Sequence, residues 1–361
     1  MVGMRDVAKE AGVSLSTVSL VVNKTGYVSD DMRARVKAAM KELNYVPNEL
    51  ARNLYKNRTN LVGVIVPTIR HPFFATLTAH LQRELAAQGL RTMLCSTADA
   101  ENGEVEYVDM LRRHMMDGII VCSHTTHPND YWTSIHRPIV AFDRVLGGGI
   151  ASIGSDHEQG GRFMAHMLVN TGAHHVVMIG GPRDQFFDLA ARNGDSPDDF
   201  DLHKTTFPAV RYYLTLEQEL KAAGVRYEYV EAGNVEDFQG YKNAVNAVLN
   251  SMPVDGVDAV VSSDIGAALC VREAMRRHIS IPRDLQIIAY DGTYLTDLAG
   301  MKMTAVAQNF DKIAQVAVGN IVRAIAKEGD AKADTTSATG RKPYEPDVLI
   351  PVTRKLGDTT R

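Results

Sequence analysis

The sequence predicts a small all-α module at the N-terminus, followed by a large α/β region built on two parallel, doubly wound sheets. The chain has 361 residues, more than one ordinary core holds. Residues 1–60 contain ten Lys and Arg against six Asp and Glu, so this segment carries +4 while the remainder carries −8. Beyond residue 60, short apolar runs alternate with amphipathic segments, which is typical of strands and helices in parallel sheets.

The first two helices are predicted from apolar spacing around a glycine. In RDVAKEAGVSLSTVSLVVN, apolar residues recur at three- and four-residue intervals on both sides of Gly12. Glycine suits the tight turn between two helices, and Ser14 can cap the second by accepting a hydrogen bond from a free backbone N–H. A third helix is predicted from Ser29, with two aspartates in its first turn and lysines towards its end, as the helix dipole favours.

The segment NYVPNELARNLYKNRTN follows the third helix. Pro47 ends that helix, and Asn48 can cap a fourth helix of barely two turns before a strand begins at Leu61. A helix this short is unstable alone in water, so it is predicted to order only when another surface docks against it.

These segments resemble the headpiece of the lactose/galactose repressor (LacI/GalR) family of transcription regulators. The resemblance rests on DVAKEAGVS, TVSLVVN and NYVPNELARNL, in that order at the N-terminus. It implies a sequence-specific DNA-binding regulator with a helix-turn-helix headpiece over residues 1–46, a hinge helix and linker over 47–60, and an effector-binding and dimerisation domain over 61–361. The paired headpieces of a homodimer would match a near-palindromic double-stranded operator.

The resemblance also implies roles for headpiece residues. The helix from Leu15 to Asn23 would enter the major groove, where Leu15, Ser16 and Leu20 would read base edges. Leu20 departs from the family, which commonly has a hydrogen-bonding side chain there, because leucine offers only apolar contact such as with a thymine methyl group. The operator is therefore expected to differ from the family's commonest one. Helix caps or phosphate contacts, which set register without reading sequence, are expected from Ser14, Thr17, Ser19, Asn23 and Tyr27.

Three hinge residues receive roles from the same resemblance. Leu54 would be the wedge that opens a central base step in the minor groove. Ala51 would let the paired hinge helix approach closely, and Arg52 would contact phosphate.

The larger region resembles the periplasmic-binding-protein-like fold, which has two lobes joined by three crossovers. The crossovers are predicted near 156–160, 290–295 and 308–312, giving a first lobe of about 61–157 plus 292–308 and a second of about 158–291 plus 309–361. A last strand is predicted in PDVLIPV. The other strands are predicted at 61–67, 91–97, 118–123, 138–143, 175–181, 226–232, 259–263, 286–291 and 303–308.

Ligands of open parallel sheets bind beyond the carboxyl ends of the strands, which makes the effector site predictable. Aromatic faces beside carboxylate and guanidinium groups suit a polyhydroxylated ring, because vicinal hydroxyls can bridge both atoms of one planar group. The predicted effector is therefore a sugar, a mono- or disaccharide, whose binding releases DNA. The candidate residues are His71, Phe73, Phe74, Asp143 and Arg144 from the first lobe, and Arg211, Asn234, Asp264 and Asp291 from the second.

Several of these candidates have a structural alternative. Phe73 and Phe74 could belong to the core, and Asp264 could cap the helix that follows it. A polar insertion over 183–210 interrupts the family's pattern, so the effector arginine is predicted to be Arg211, with Arg192 as the alternative.

Other classes of function receive little support. The chain has no GxSxG, P-loop or dinucleotide fingerprint, which argues against an enzyme, and a solute receptor would have no use for residues 1–60. A purine-like co-repressor or a phosphocarrier protein remains an alternative to the sugar. The longest apolar runs have the length of strands, so a cytoplasmic protein without a membrane span is expected. The three cysteines are expected to be buried and reduced, and no cofactor or metal is expected.

Overall fold

The computed structural model describes residues 2–47, 58–98, 100, 103–123, 127–183, 205, 207–329 and 346–361. The chain divides into two units, Met1–Thr59 and Asn60–Arg361. The boundary lies one residue before the predicted start of the effector-binding domain.

The smaller unit contains three helices, α1 (Met4–Ala11), α2 (Leu15–Asn23) and α3 (Asp30–Glu42). Gly12 follows α1 with a φ of 60°, so the turn into α2 uses the left-handed conformation that glycine adopts without strain. Val7, Val18 and Val36 are fully buried where the helices meet. The predicted helix-turn-helix headpiece is confirmed.

The larger unit alternates strands and helices along its described residues. Its strands are β1 (Leu61–Val66), β2 (Arg91–Ser96), β3 (Gly118–Val121), β4 (Ile139–Phe142), β5 (Ala151–Ser155), β6 (His175–Gly180), β7 (Arg226–Glu231), β8 (Ala259–Ser263), β9 (Gln286–Asp291), β10 (Thr304–Ala307), β11 (Val348–Ile350) and β12 (Thr353–Lys355). Its helices are α4 (Pro72–Ala87), α5 (Gly103–Arg112), α6 (Asn129–Thr133), α7 (His157–Asn170), α8 (Val210–Ala222), α9 (Phe238–Asp255), α10 (Asp264–Arg276), α11 (Leu295–Leu298) and α12 (Phe310–Gly329).

The first lobe is a parallel sheet in the order β11-β5-β4-β3-β1-β2. Side chains alternate across β1, so Val64 packs with α4 and α12 on one face while Ile65 packs with α5 and α6 on the other. Trp132 of α6 is buried in the second of these layers. Both faces of the sheet are covered, which is why its strands read as continuous apolar runs.

The second lobe repeats this design in the order β12-β10-β9-β8-β6-β7. Its strands are parallel except β12, which is antiparallel to β10. Helices α7 and α8 cover one face, and α9 and α10 cover the other. The predicted class, an all-α headpiece followed in the chain by two doubly wound, mostly parallel sheets, is confirmed.

The chain passes between the lobes at three places, after β5, after β10 and between β11 and β12. The predicted crossovers near 156–160 and 308–312 are confirmed. The one near 290–295 is wrong, because β10 pairs with β9, with Thr304 opposite Ile288, and so stays in the second lobe. Segment 292–308 therefore belongs to the second lobe, and α12 packs in the first. The third crossover lies at 351–352.

All nine predicted internal strands are present, and two details of strand content differ from the prediction. The predicted last strand, PDVLIPV, is two strands, β11 in the first lobe and β12 in the second. Strand β5 was not predicted, because its five-residue sequence ASIGS contains a single large apolar residue, Ile153.

The cysteines behave as predicted. Cys95, Cys122 and Cys270 are free and buried, and burial raises the pKa of each thiol to about 12. They are therefore neutral thiols within the core. Within the described part of the chain, no helix combines the length and the hydropathy that crossing a membrane requires.

Candidate functional site

The headpiece presents a polar and partly apolar surface along α2. Ser14 caps this helix, since its Oγ accepts a hydrogen bond from the backbone N–H of Thr17 at 3.1 Å and lies 2.6 Å from the Ser16 hydroxyl. One turn further along, Asn23 Nδ2 donates to Ser19 Oγ at 3.1 Å. These side chains thus stabilise α2 in the protein itself, and the capping alternative holds for Ser14.

The predicted base-reading residues differ in exposure. Leu15 and Ser16 are exposed, with 42% of Leu15 accessible, and Tyr27 is 91% exposed. Leu20 is half-buried, because it packs against the headpiece core and lies close to Gly26. The hinge predictions, Ala51, Arg52 and Leu54, lie outside the described residues.

A cavity lies in the larger unit between residues of both lobes. It is lined by six of the nine predicted effector residues, namely His71, Phe73, Phe74, Asp143, Arg144 and Asp291. Asp143 follows β4 and Asp291 ends β9, so the cavity lies beyond the carboxyl ends of the strands, where the parallel sheets predict it. The structure therefore brings these six residues together.

His71 contributes both to the helix α4 and to the cavity. Its Nδ1 accepts a hydrogen bond from the Phe73 backbone N–H at 3.3 Å, so the ring proton resides on Nε2. Burial lowers the pKa of His71 to about 4, and the ring is neutral at physiological pH. Nε2 is buried and has no hydrogen-bond partner among the described residues. It is a donor available to a ligand.

Aromatic rings form two walls of the cavity. The first lobe contributes Phe73 and Phe74, whose ring centroids are 5.1 Å apart. The second lobe contributes Tyr212 and Tyr290, stacked at 3.8 Å with an interplanar angle of 6°. The sequence reasoning missed most of the aromatic lining. The additional lining rings are Phe142, Phe207, Tyr212, Tyr213, Tyr241 and Tyr290.

Arg144 is buried at the cavity, and two of its three guanidinium nitrogens donate to protein oxygens. Its Nε donates to the Ser123 carbonyl at 2.6 Å, and Nη1 donates to the Asp143 carbonyl. The guanidinium carbon lies 3.9 Å from the centroid of the Phe207 ring, which comes from the second lobe. Burial lowers the pKa of Arg144 to about 10, so the group stays charged at neutral pH.

Hydrogen bonds and one close histidine–carboxylate contact join the two lobes at the cavity. His157 Nδ1 lies 2.7 Å from the Tyr290 hydroxyl, and His157 Nε2 lies 3.0 Å from Asp143 Oδ1. Gln308 Nε2 donates to Asp291 Oδ1 at 2.9 Å, while its Oε1 accepts from the Ser155 hydroxyl at 2.6 Å. His157 and Gln308 lie at two of the crossovers, where they connect the cavity carboxyls to the hinge between lobes.

Three predicted effector residues do not line the cavity. Arg211 is buried with Nη1 3.9 Å from Glu158 of α7, and its helix neighbours Tyr212 and Tyr213 line the cavity instead. Successive helix side chains point about 100° apart, so adjacent positions meet different surroundings. Asn234 is exposed in the turn before α9. The alternative arginine, Arg192, lies outside the described residues.

Asp264 is the third predicted effector residue that does not line the cavity. It is fully buried, and its carboxylate accepts hydrogen bonds from the backbone N–H groups of Gly292, at 3.1 Å, and Thr293, at 2.6 Å. It therefore holds the loop after β9 instead of facing the cavity. Burial raises its pKa to about 6. Burial and the charge of Asp264 also raise the pKa of Asp291 well above its usual range.

Comparisons with known proteins match both units. The family model for bacterial regulatory proteins of the lacI family matches residues 3–48. The model for periplasmic binding proteins and the sugar-binding domain of the LacI family matches residues 59–194, and a model for a periplasmic binding protein-like domain matches 165–342.

Curated relatives align over most of the chain. The sucrose operon repressor of Streptococcus mutans is 33% identical over 322 residues, which is 89% of this chain and 92% of the relative. The ribose operon repressor of Bacillus subtilis is 32% identical over 291 residues, which is 81% of this chain and 82% of the relative.

Solved structures agree with this fold. A Lac repressor dimer bound to operator and the anti-inducer ONPF superposes with a TM-score of 0.76 at 21% identity, covering 99% of both chains. A transcriptional regulator in complex with cellobiose gives a TM-score of 0.63 at 23% identity, covering 99% of this chain and 100% of the other. Sequence identity and coverage together show that the chain belongs to the LacI family of bacterial regulatory proteins.

Proposed function

We propose that the protein represses transcription by binding operator DNA through its headpiece, and that a sugar in the cavity releases it. The observation that carries the effector assignment is the cavity itself. It places His71 and two carboxyl groups between aromatic walls, which suits a ring with apolar faces and polar edges. Relatives named as sucrose and ribose operon repressors support the same assignment.

The DNA contacts are proposed for the surface along α2. Leu15 and Ser16 are exposed at its N-terminal end, where they can meet base edges. Half-buried Leu20 can offer an apolar contact to a thymine methyl group. Helix capping or phosphate contacts that set the register are proposed for Ser14, Thr17, Ser19, Asn23 and Tyr27. In the hinge, Leu54 opens a base step in the minor groove, Ala51 lets the paired hinge helix approach closely, and Arg52 contacts phosphate.

The proposed assembly is a homodimer in the cytoplasm. Two headpieces related by a two-fold axis match a near-palindromic operator, and a single headpiece would contact only one half-site. Effector binding changes the angle between the lobes through the crossovers, and a coupling of about 1–3 kcal/mol is enough to change operator occupancy substantially.

The cavity also gives a second candidate. The stacked rings of Tyr212 and Tyr290, 3.8 Å apart, form a flat wall that would suit a purine base acting as a co-repressor. This candidate predicts the opposite sign, because a co-repressor strengthens operator binding.

The test is a thermal-shift screen of the full chain with sugars and purines, followed by operator binding measured by fluorescence anisotropy. The operator is first selected from a random DNA library with the protein itself. A sugar that stabilises the protein and lowers operator affinity supports the proposal. A purine that stabilises it and raises operator affinity supports the second candidate. Failure to select any DNA would refute the repressor function.

A further inference from the structure

We propose that the cavity takes an uncharged ring compound, an unphosphorylated sugar or glycoside, and rejects the phosphate esters of the same sugars. This inference rests on the proposed function and specifies the chemical class of its effector.

The first argument is the charge of the lining. Among the described lining residues, Arg144 carries the one permanent positive charge, while Asp143 and Asp291 contribute two carboxyl groups. The low pKa of His71, about 4, leaves that ring neutral. The cavity therefore offers no net positive charge to a phosphate dianion. Moving such a charge out of water without a compensating partner is strongly unfavourable.

The second argument is the state of Arg144. Arginines that bind phosphate present the guanidinium fork to the ligand. Here Nε donates to the Ser123 carbonyl at 2.6 Å, Nη1 donates to the Asp143 carbonyl, and the Phe207 ring covers the guanidinium face at 3.9 Å. Two of the three guanidinium nitrogens thus donate to carbonyls of the first lobe, and the guanidinium face contacts a ring of the second lobe.

The third argument is what the cavity does offer. Phe73 and Phe74 on one side, and Tyr212 and Tyr290 on the other, can pack against the apolar faces of a ring. The unpartnered Nε2–H of His71 can donate to a hydroxyl oxygen. These groups recognise the ring and its hydroxyls. The effector would then be the substrate of a sugar-phosphorylating reaction, and not its product.

The test is calorimetric titration of the full chain with matched pairs, namely glucose, fructose, ribose and sucrose, each against its phosphate monoester. Inorganic phosphate is the anion control. For any sugar that binds, we expect the phosphate ester to bind at least about 100-fold more weakly. A phosphate ester that binds as tightly as its free sugar, or more tightly, would overturn the inference.

A pair of variants tests the role of the arginine directly. Phe207→Ala uncovers the Arg144 guanidinium. It should therefore weaken binding of the free sugar and reduce the ratio of the affinity for the sugar to the affinity for its phosphate ester. Phe163→Ala is the matched control, because it removes a ring 5.0 Å from Arg354 that does not line the cavity. If this affinity ratio is the same in the wild type and in Phe207→Ala, the covered guanidinium of Arg144 does not contribute to rejection of the phosphate ester.

Operator binding separates this inference from the proposed function. A phosphate ester that binds and releases the operator overturns the inference while the repressor mechanism stands. If neither class of ligand binds or changes operator affinity, the sugar-released repressor itself is overturned.

Discussion

Asp143 and Asp291 occupy corresponding positions in the two lobes. The sequences IVAFD and IIAYD each place an aspartate after an aromatic residue at the carboxyl end of a strand, with Asp143 directly after β4 and Asp291 as the last residue of β9. Both aspartates have left-handed backbone, with φ of 48° and 119°. A residue with a Cβ costs about 1–3 kcal/mol in such conformations, which persist mainly at functional sites. The shared strain supports a binding role for both carboxyl groups.

His71 allows its two roles to be separated by substitution. His71→Ala removes the acceptor for the Phe73 N–H and the donor at Nε2, so it should lower stability by about 1 kcal/mol and weaken effector binding. His71→Asn retains a cap but has no donor at the position of Nε2. We expect about 10-fold weaker effector binding in both variants, from the loss of one buried hydrogen bond. Thermal unfolding and calorimetry measure the two effects, and wild-type affinity in His71→Asn would contradict the donor role.

Gly160 determines where the Tyr290 ring can lie. A Cβ at this position would be 2.8 Å from Tyr290 Cε2 and 2.9 Å from its hydroxyl, so Gly160→Ala must displace the ring. We expect a loss of about 1–3 kcal/mol in stability and weaker effector binding. Gly319→Ala in α12 is the matched control, since its Cβ would meet nothing within 4 Å. Alanine should leave stability equal or raise it there. Unfolding midpoints of both variants check this, and equal behaviour would contradict the packing argument.

At the scale of elements, two substitutions of Ser14 test whether its side chain caps α2, contacts phosphate or does both. Ser14→Ala removes the acceptor for the Thr17 N–H and should destabilise the headpiece by about 1 kcal/mol. Ser14→Asp retains a capping oxygen and adds a negative charge near the proposed phosphate. If Ser14 contacts phosphate, Ser14→Asp should keep the unfolding midpoint and lose operator affinity. Unchanged operator affinity in Ser14→Asp would show that Ser14 is only a cap.

Elements were predictable where local chemistry decides them. The turn at Gly12, the cap at Ser14 and the apolar runs of the internal strands follow from backbone sterics, hydrogen bonding and burial. Strand β5 was not predictable in this way, since its sequence is ASIGS and it owes its place to pairing with β4 and β11.

The site was predictable at strand ends and not on helices. His71, Asp143 and Asp291 follow from the rule that parallel strands deliver ligands at their carboxyl ends. Tyr212 and Tyr213 lie on α8, and an aromatic residue on a helix is interpreted from the sequence as part of the hydrophobic core. Only the tertiary packing of α7 against α8 determines that these two rings line the cavity. The prediction of a crossover near 290–295 was wrong for a related reason. The sequence of β10 is that of an apolar strand, and such a strand can pair in either sheet.

At the scale of the whole molecule, the cavity and the hinge between lobes share residues. Gln308 connects Ser155 of the first lobe with Asp291 of the second, and His157 connects Asp143 with Tyr290. A ligand that competes with Gln308 for Asp291 Oδ1 would therefore disturb a hydrogen bond at a crossover between the lobes. This is a physical route from effector to lobe angle, and it needs no contact between the effector and the headpiece.

The buried carboxyl of Asp264 makes the stability of the larger unit depend on pH. Burial raises its pKa from 3.8 to about 6 in the folded chain, so between these values the folded state binds more protons than the unfolded state. The free energy of unfolding should therefore fall as pH rises from about 4 to about 6, by up to about 3 kcal/mol from this group, and level off above. Urea unfolding across this range measures the slope.

Two variants test which carboxyl group causes the change of unfolding free energy with pH. Asp264→Asn cannot titrate, so its unfolding free energy should change less steeply between pH 4 and 6 than that of the wild type, whatever its absolute value. Asp258→Asn should leave the slope between pH 4 and 6 close to that of the wild type, and should reduce the loss of stability below about pH 4, where this carboxyl titrates in the unfolded chain. The hydrogen bonds that Asp258 accepts from the His174 and His175 backbones lower its pKa, so its contribution is lost as pH falls. A wild-type slope in Asp264→Asn would show that another group controls the pH dependence of the larger unit.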